Sequence, residues 1–385
     1  MSVRASEIVH GHCDTRFRPL RDAFRANFNE HGELGAAVAV YHAGEPVVDL
    51  WGGVRDRASG APWERDTIAC MMSVSKGIAM ICVAMLAARG QIALEQPMAS
   101  YWPEFGQAGK ERVTVREALG HLAGIPSIDG AREGDFYDWS TMVEGIAAQR
   151  PLWPVGSRQF YHSATLGFMA GELVRRVTGE TIGKFLRREI SEPLGADFFF
   201  GLTGEEQRRC ATMVLSPGNS VNAAKRAPAE SLEARMWKPL PSDEDFNSER
   251  WRGREIPSVN GQGSARAVAR IYSALSGGGR FAGIEMPHAA TLAPFLIEQK
   301  PDPIPPEGLR LRMAVGFMLN SPPGRSMGPN LATFGHSGAG GSQGFCDPVA
   351  RIGFCYTTNK MHDGLETGIR ATSLIEALYA SPGLS

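Results

Sequence analysis

Cys70-Met71-Met72-Ser73-Val74-Ser75-Lys76-Gly77 runs directly into Ile78-Ala79-Met80-Ile81-Cys82-Val83-Ala84-Met85-Leu86. The apolar run reads as a helix buried on nearly every side and closed at Arg89-Gly90, with Ser73 at its positive N-terminal end. Residues three apart share a helix face, so the Lys76 amine can reach the Ser73 hydroxyl. Elsewhere such a pair would be an ordinary N-cap and a solvated lysine. On the first turn of a helix this apolar, a surface lysine does not fit. A serine hydroxyl is a poor nucleophile until a base takes its proton. A lysine, with an ordinary pKa of about 10.4, becomes such a base when desolvation holds part of it neutral.

The chain around this stretch has 385 residues, 43% hydrophobic and 21% charged, enough for two subdomains with sizeable cores. Lys+Arg 40 against Asp+Glu 41 leaves a net charge of -1, so no broad field attracts nucleic acid or an anionic membrane, and small molecules are the expected partners. The first 20 residues carry no apolar leader core and no segment is apolar for long enough to span a bilayer, which points to the cytoplasm. The six cysteines are scattered and form no Cys-x-x-Cys pair, as expected of reduced thiols. His10-Gly11-His12-Cys13 has a metal-tract composition but no second ligand cluster, and reads as a mobile tail. No metal and no cofactor is expected, and oligomeric state is left open.

Phe17, Leu20, Phe24 and Phe28 recur at helical spacing up to His31-Gly32. Residues 36–42 and 45–53, separated by Ala43-Gly44, read as paired strands. Thr114-x-x-Glu117 has the form of a capping box. Helices dominate from there to about residue 200, clearest from Ala164 to Thr178 with Gly179 as terminator. Residues 203–260 are rich in Pro, Gly, Asn and charge and read as an irregular segment that shapes a cleft. A helix over Ala265–Leu275, strands over Met313–Leu319, Thr333–His336 with 344–346, and Ile352–Thr358, and a last helix from about Leu365 to Tyr379 complete the chain. Strands at both ends and helices between them predict one sheet closed by the two termini. The expected division is a sheet domain of residues 1–80 and 255–385 and a helical domain of residues 81–254, whose segment 203–254 lines the cleft.

Two further stretches can complete a site with Ser73 and Lys76. Tyr161, in Gln159-Phe160-Tyr161-His162-Ser163, offers a phenol able to move a proton. Phe334-Gly335-His336-Ser337-Gly338-Ala339-Gly340-Gly341 offers a glycine-rich strand whose backbone can approach a substrate and stabilise an oxyanion. In this order, Ser73-Val74-Ser75-Lys76, Tyr161-His162-Ser163 and His336-Ser337-Gly338 resemble the three motifs of the serine β-lactamase and penicillin-binding-protein superfamily. The flanks, among them His121-Leu122-Ala123-Gly124 and Trp153-Pro154-Val155-Gly156, are similar to the class C-like family VIII carboxylesterases, and the resemblance covers nearly the whole chain.

The resemblance implies an α/β (α+β) serine β-lactamase-like fold: an antiparallel sheet flanked by helices and built from both chain ends, an inserted mainly helical domain, and the site between them. It further implies Ser73 as the acylated nucleophile, Lys76 and Tyr161 as general base and proton relay, and the N–H groups of Ser73 and Ala339 as an oxyanion hole. Ser163, His336, Ser337 and Gly338 become substrate-binding residues. Which of Lys76 and Tyr161 takes the first proton stays open, because coupled groups titrate as a pair. Where β-lactamases carry Lys in the third motif this chain has His336, and where they end the second motif in Asn it has Ser163. Both changes weaken recognition of an anionic amide. The expected activity is therefore hydrolysis of short-chain carboxylic esters, with lactam cleavage slow at most. Acyl transfer from the same acyl-serine and a non-catalytic relative are the alternatives. Gly340-Gly341-Ser342-Gln343-Gly344 also fits G-x-S-x-G, but a strand and hairpin follow where that motif needs a helix.

Overall fold

The computed structural model describes residues 8–241, 246–277, 279–300, 311–364 and 366–384. Its centre is an eight-stranded antiparallel sheet. Its spatial order is Val9–Cys13, Glu45–Gly53, Gly35–His42, Ile352–Thr358, Gln343–Asp347, Phe334–Ser337, Met318–Leu319, Arg312–Met313. The three strands of the N-terminal part meet the C-terminal five where Gly35–His42 pairs with Ile352–Thr358, from Ala36 opposite Thr358 to His42 opposite Ile352. One sheet completed by both termini is thus what the chain forms.

Both faces of the sheet are covered, which is why the strands Gln343–Asp347 and Ile352–Thr358 are buried at every residue. From Ile352–Thr358, Ile352, Phe354 and Tyr356 face one layer, where Phe17 and, from the N-terminal helix that follows it, Leu20 and Phe24 meet Leu374 and Leu378 of the last helix. Those helices are Arg18–Glu30 and Ile369–Tyr379, each with its apolar residues three and four apart. Cys355 faces the opposite layer, where the helix Ala265–Leu275 crosses the sheet. Gly353 makes that crossing possible: a Cβ there would stand 2.2 Å from Ala269 O and 2.4 Å from Ser273 N. A polar clasp joins the chain ends. Glu33 accepts from Arg370 at 2.6 Å, from Thr358 Oγ1 at 2.7 Å and from the Tyr356 hydroxyl, all buried.

Val74–Ala88 is the helix read from the sequence, buried at every residue from Val74 to Leu86. It packs between the sheet and the helix Thr165–Thr178, which ends at Gly179 in the left-handed conformation as expected. The capping box is formed in both directions, Glu117 N to Thr114 Oγ1 at 3.1 Å and Thr114 N to Glu117 Oε2 at 2.9 Å.

Several expectations are corrected. Val9–Cys13 is not a mobile tail but an edge strand paired with Glu45–Gly53. His12 turns to Asp14 at 2.6 Å, and among the described residues no group of three His, Cys, Asp or Glu side chains converges as a metal site. Met313–Leu319 is not one strand: the run turns at Gly316, and Met313 and Met318 face each other across a hairpin. The segment after residue 203 carries short capped helices at Gly204–Gln207, Ser220–Arg226, Leu232–Trp237 and Glu249–Gly253. The last helix begins at Ile369, and Leu365, its expected start, lies outside the described residues. All six cysteines are free thiols, and among the described residues no helix is long and apolar enough to cross a membrane.

Gly353→Ala is expected to lose about 1–3 kcal/mol of stability through overpacking against the crossing helix, read as a lower urea midpoint at unchanged slope.

Candidate active site

The Ser73 turn is built by three local constraints. Ala69–Cys70 pairs antiparallel with Gln262–Gly263, and Met71 N donates to Gly261 O at 3.0 Å, which straps the turn to the segment around residue 260. Ser75, fully buried, donates its hydroxyl to Met72 O at 2.5 Å and accepts from Gly261 N at 2.9 Å. Met72 itself sits at φ 47°, a left-handed conformation that costs a residue with a Cβ of order 1–3 kcal/mol and is held only by its surroundings. Ser73 follows as the N-cap of the helix, its side chain free of a capping bond and directed into a cleft.

Lys76 is fully buried one turn on. Its Nζ lies 3.0 Å from Ser73 Oγ and 2.9 Å from Ser258 O. Nζ donates to both oxygens. Desolvation accordingly drives its pKa well below the lysine range. Ser258 is pinned in turn, its hydroxyl donating to Ala164 O at 2.7 Å and accepting from Gly167 N at 2.7 Å.

Tyr161 closes the group. Its ring lies 4.9 Å from the Lys76 Nζ, and its hydroxyl interacts with Ser73 and sits 3.3 Å from His336 Nε2. His336 Nδ1 donates to Ser337 O at 2.6 Å, so Nε2 carries the lone pair that receives the phenol proton. Burial raises the Tyr161 pKa, outweighing the opposing effects of Ser73 and Arg325. Burial, then the neighbouring Lys76, depresses His336 far below the usual imidazole value. Burial thus pushes all three groups toward their neutral forms, the amine and the imidazole downward and the phenol upward.

The cleft encloses ≈ 190 Å³. Ser73, Tyr161, Ser163, Ser337, Gly338 and Ala339 all line it. Gly338 is what brings the third motif against the first, since a Cβ there would stand 2.2 Å from Met71 O. Among the described residues, no hydrogen-bond acceptor takes the N–H of Ser73 or of Ala339.

His336 is the exception among the expected substrate-binding residues. It is fully buried behind Tyr161 and forms no part of the cleft wall. Ser342 is also buried, beside Thr357 at 3.3 Å, and stays outside the cleft. The walls draw on Val221, Met236 and Trp237 from the segment read as cleft-lining, joined by Leu311 and Met318.

Arg325 was not legible beforehand. It reaches the cleft from the turn after Leu319 and donates Nη1 to the Ser337 hydroxyl, while its buried Nε has no partner among the described residues. A cation therefore stands beside the third motif after all, supplied from another part of the chain. Glu233 and Glu366 line the same cleft, so its wall carries both signs of charge.

An antiparallel sheet closed by both chain ends, with a serine and lysine at the head of a buried helix beside it, is the serine β-lactamase-like fold. Residues 20–378 match the family model described as Beta-lactamase, and the chain belongs to that family. It is 33% identical over 371 residues to the esterase/beta-lactamase LipL of Mycobacterium tuberculosis, covering 93% of this chain and 84% of that one. Among solved structures, a family VIII carboxylesterase superposes with TM-score 0.87 at 38% identity, covering 96% of this chain and 99% of the other. A penicillin-binding protein homologue from Caulobacter crescentus gives 0.85 at 37%, covering 97% and 99%.

Burying Lys76 carries a stability cost with a defined sign. Its folded pKa is depressed, so between that value and the ordinary lysine range the unfolded chain binds the extra proton, and stability rises with pH. Lys76→Met is expected to melt about 2 °C or more above the parent at pH 7, the gain shrinking as the pH approaches 10. Differential scanning calorimetry across that range checks it, and a lower melting temperature at pH 7 would count against a neutral buried amine.

Proposed function

We propose that this protein hydrolyses short-chain carboxylic esters through an acyl-enzyme on Ser73. The observation that carries the reading is a fully buried Lys76 amine 3.0 Å from Ser73 Oγ, with Ser258 O as its other polar contact. The neutral amine takes the hydroxyl proton as Oγ attacks the ester carbonyl. The N–H groups of Ser73 and Ala339 receive the oxyanion. Tyr161, between Ser73 and His336, passes a proton to the departing alkoxide, and water then releases the acid by the reverse relay. Burial lowers the Lys76 pKa and raises that of Tyr161, and the amine lies 3.0 Å from Ser73 Oγ, which together favour Lys76 as the first base. The apolar walls suit an uncharged acyl chain. The names of the relatives, an esterase/beta-lactamase and a family VIII carboxylesterase, support the same reaction class.

Ser73→Ala and Lys76→Met are each expected to abolish covalent labelling by a fluorophosphonate probe and to lower kcat on p-nitrophenyl butyrate by at least about a thousandfold, while Ser342→Ala is labelled normally. Labelling that survives Ser73→Ala but not Ser342→Ala moves the nucleophile. The rate should climb with pH through the depressed Lys76 pKa and level off well short of the ordinary lysine range. A rise that continues to pH 10 would mean a solvated lysine.

Arg325 favours a second activity at the same serine, slow opening of β-lactams, whose carboxylate the guanidinium beside Ser337 can receive. Arg325→Met is expected to cut the ratio of cephalosporin acylation to butyrate hydrolysis about tenfold. An unchanged ratio separates Arg325 from anion recognition.

A further inference from the structure

His121 stands outside the reaction as described, yet the chain accepts strain to place it. It is a non-glycine residue at φ 64°, just past the end of the helix Val115–Leu119. A backbone like this costs a residue with a Cβ of order 1–3 kcal/mol and tends to mark places where geometry matters.

What that geometry does is visible in the neighbouring loop. The His121 carbonyl accepts from Phe160 N at 3.0 Å, and its Nδ1 accepts from His162 N at 3.0 Å. The residues on both sides of Tyr161 therefore hang from one histidine. The His162 ring locks the arrangement from behind: Nδ1 donates to Phe160 O at 2.6 Å, and Nε2 accepts from Ile125 N at 3.1 Å. Because its Nδ1 accepts, His121 carries its proton on Nε2, which is buried without a partner among the described residues. The imidazole also stacks obliquely on Tyr161, ring centres 5.1 Å apart and planes at 37°. Both imidazoles are held neutral, chiefly by burial, His162 at about 4 and His121 well below the usual value.

We propose that His121 is a positioning residue for Tyr161, which grips the two amides that flank the phenol and backs its ring so that the hydroxyl stays between Ser73 and His336. The role rests on Tyr161 acting as the proton relay, so the experiment contains an arm for that premise. Protonation plays no part in it. Only a left-handed backbone and a side-chain acceptor are required.

The test compares Tyr161→Phe, His121→Ala, His121→Gly, His121→Asn and the double variant His121→Ala/Tyr161→Phe, with kcat and KM measured on p-nitrophenyl butyrate. Asparagine tolerates the left-handed conformation and supplies an acceptor, whereas glycine keeps the conformation and loses the acceptor. His121→Ala should lower kcat by about 10- to 100-fold with KM changed less than about threefold, as misplacing a relay by an ångström would. His121→Gly should fall roughly tenfold, and His121→Asn should recover to within about threefold of the parent. In the Tyr161→Phe background, the alanine change should cost less than about threefold, because the group it positions is gone.

An equal loss from His121→Ala in both backgrounds, or His121→Asn no better than His121→Gly, reduces His121 to a structural residue and overturns the proposal. Should His121→Ala fail to fold, the glycine and asparagine pair decides alone, and a glycine variant within twofold of the parent overturns it too. If Tyr161→Phe itself keeps kcat within twofold, the relay reading falls first, a result distinct from a failure of His121.

Discussion

The burial of one amine governs how this chain is put together around its cleft. Lys76 can be neutral only while water is kept from it, and keeping water out takes contributions from distant parts of the sequence. The helix Val74–Ala88 is apolar throughout, the segment around Ser258 closes one side, and Tyr161 lays its ring 4.9 Å from the nitrogen. Each of those is fixed in turn, Ser258 by Ala164 and Gly167, and the Ser73 turn by Gly261. A half-open version of the same cluster would leave a solvated ammonium, which is no base at neutral pH.

The cost of this arrangement sits where stability is lost for function. A desolvated amine, a left-handed Met72 and a left-handed His121 are each unfavourable alone, and all three converge on the cleft. The compensation lies in the sheet and its two layers, where buried apolar side chains and the Glu33–Arg370 clasp tie the first hundred residues to the last hundred. The clasp ties Glu33, in the loop before Gly35–His42, to the strand Ile352–Thr358 and the helix Ile369–Tyr379, so the two chain ends are held together at the sheet.

Much of this was legible in the sequence because it is written in local patterns. The pair of strands over residues 36–53 shows in its apolar runs and the turn between them, and the Thr114–Glu117 box is a two-residue reciprocal bond that needs no tertiary partner. The edge strand Val9–Cys13 was not legible, since two histidines and a glycine carry no strand signal and only pairing with Glu45–Gly53 makes them extended. Arg325 was equally silent, because its approach to Ser337 depends on a hairpin folding back across the sheet. His336 was misplaced as a substrate contact for a reason the strand itself supplies: neighbours on a strand point to opposite faces, so with Ser337 in the cleft wall His336 turns inward.

That inward turn bears on how the chemistry is balanced. In the reaction proposed above, moving the Ser73 proton to Lys76 would create one positive and one negative charge side by side in a medium that screens them poorly. Such a pair is self-neutralising, so attack on an uncharged ester would add no net charge to the buried site. A permanently charged lysine at position 336 would break this symmetry by raising the cost of protonating Lys76. A buried histidine accepts from the Tyr161 hydroxyl without adding charge, and Arg325 stands at the cleft wall, which Glu233 and Glu366 also line.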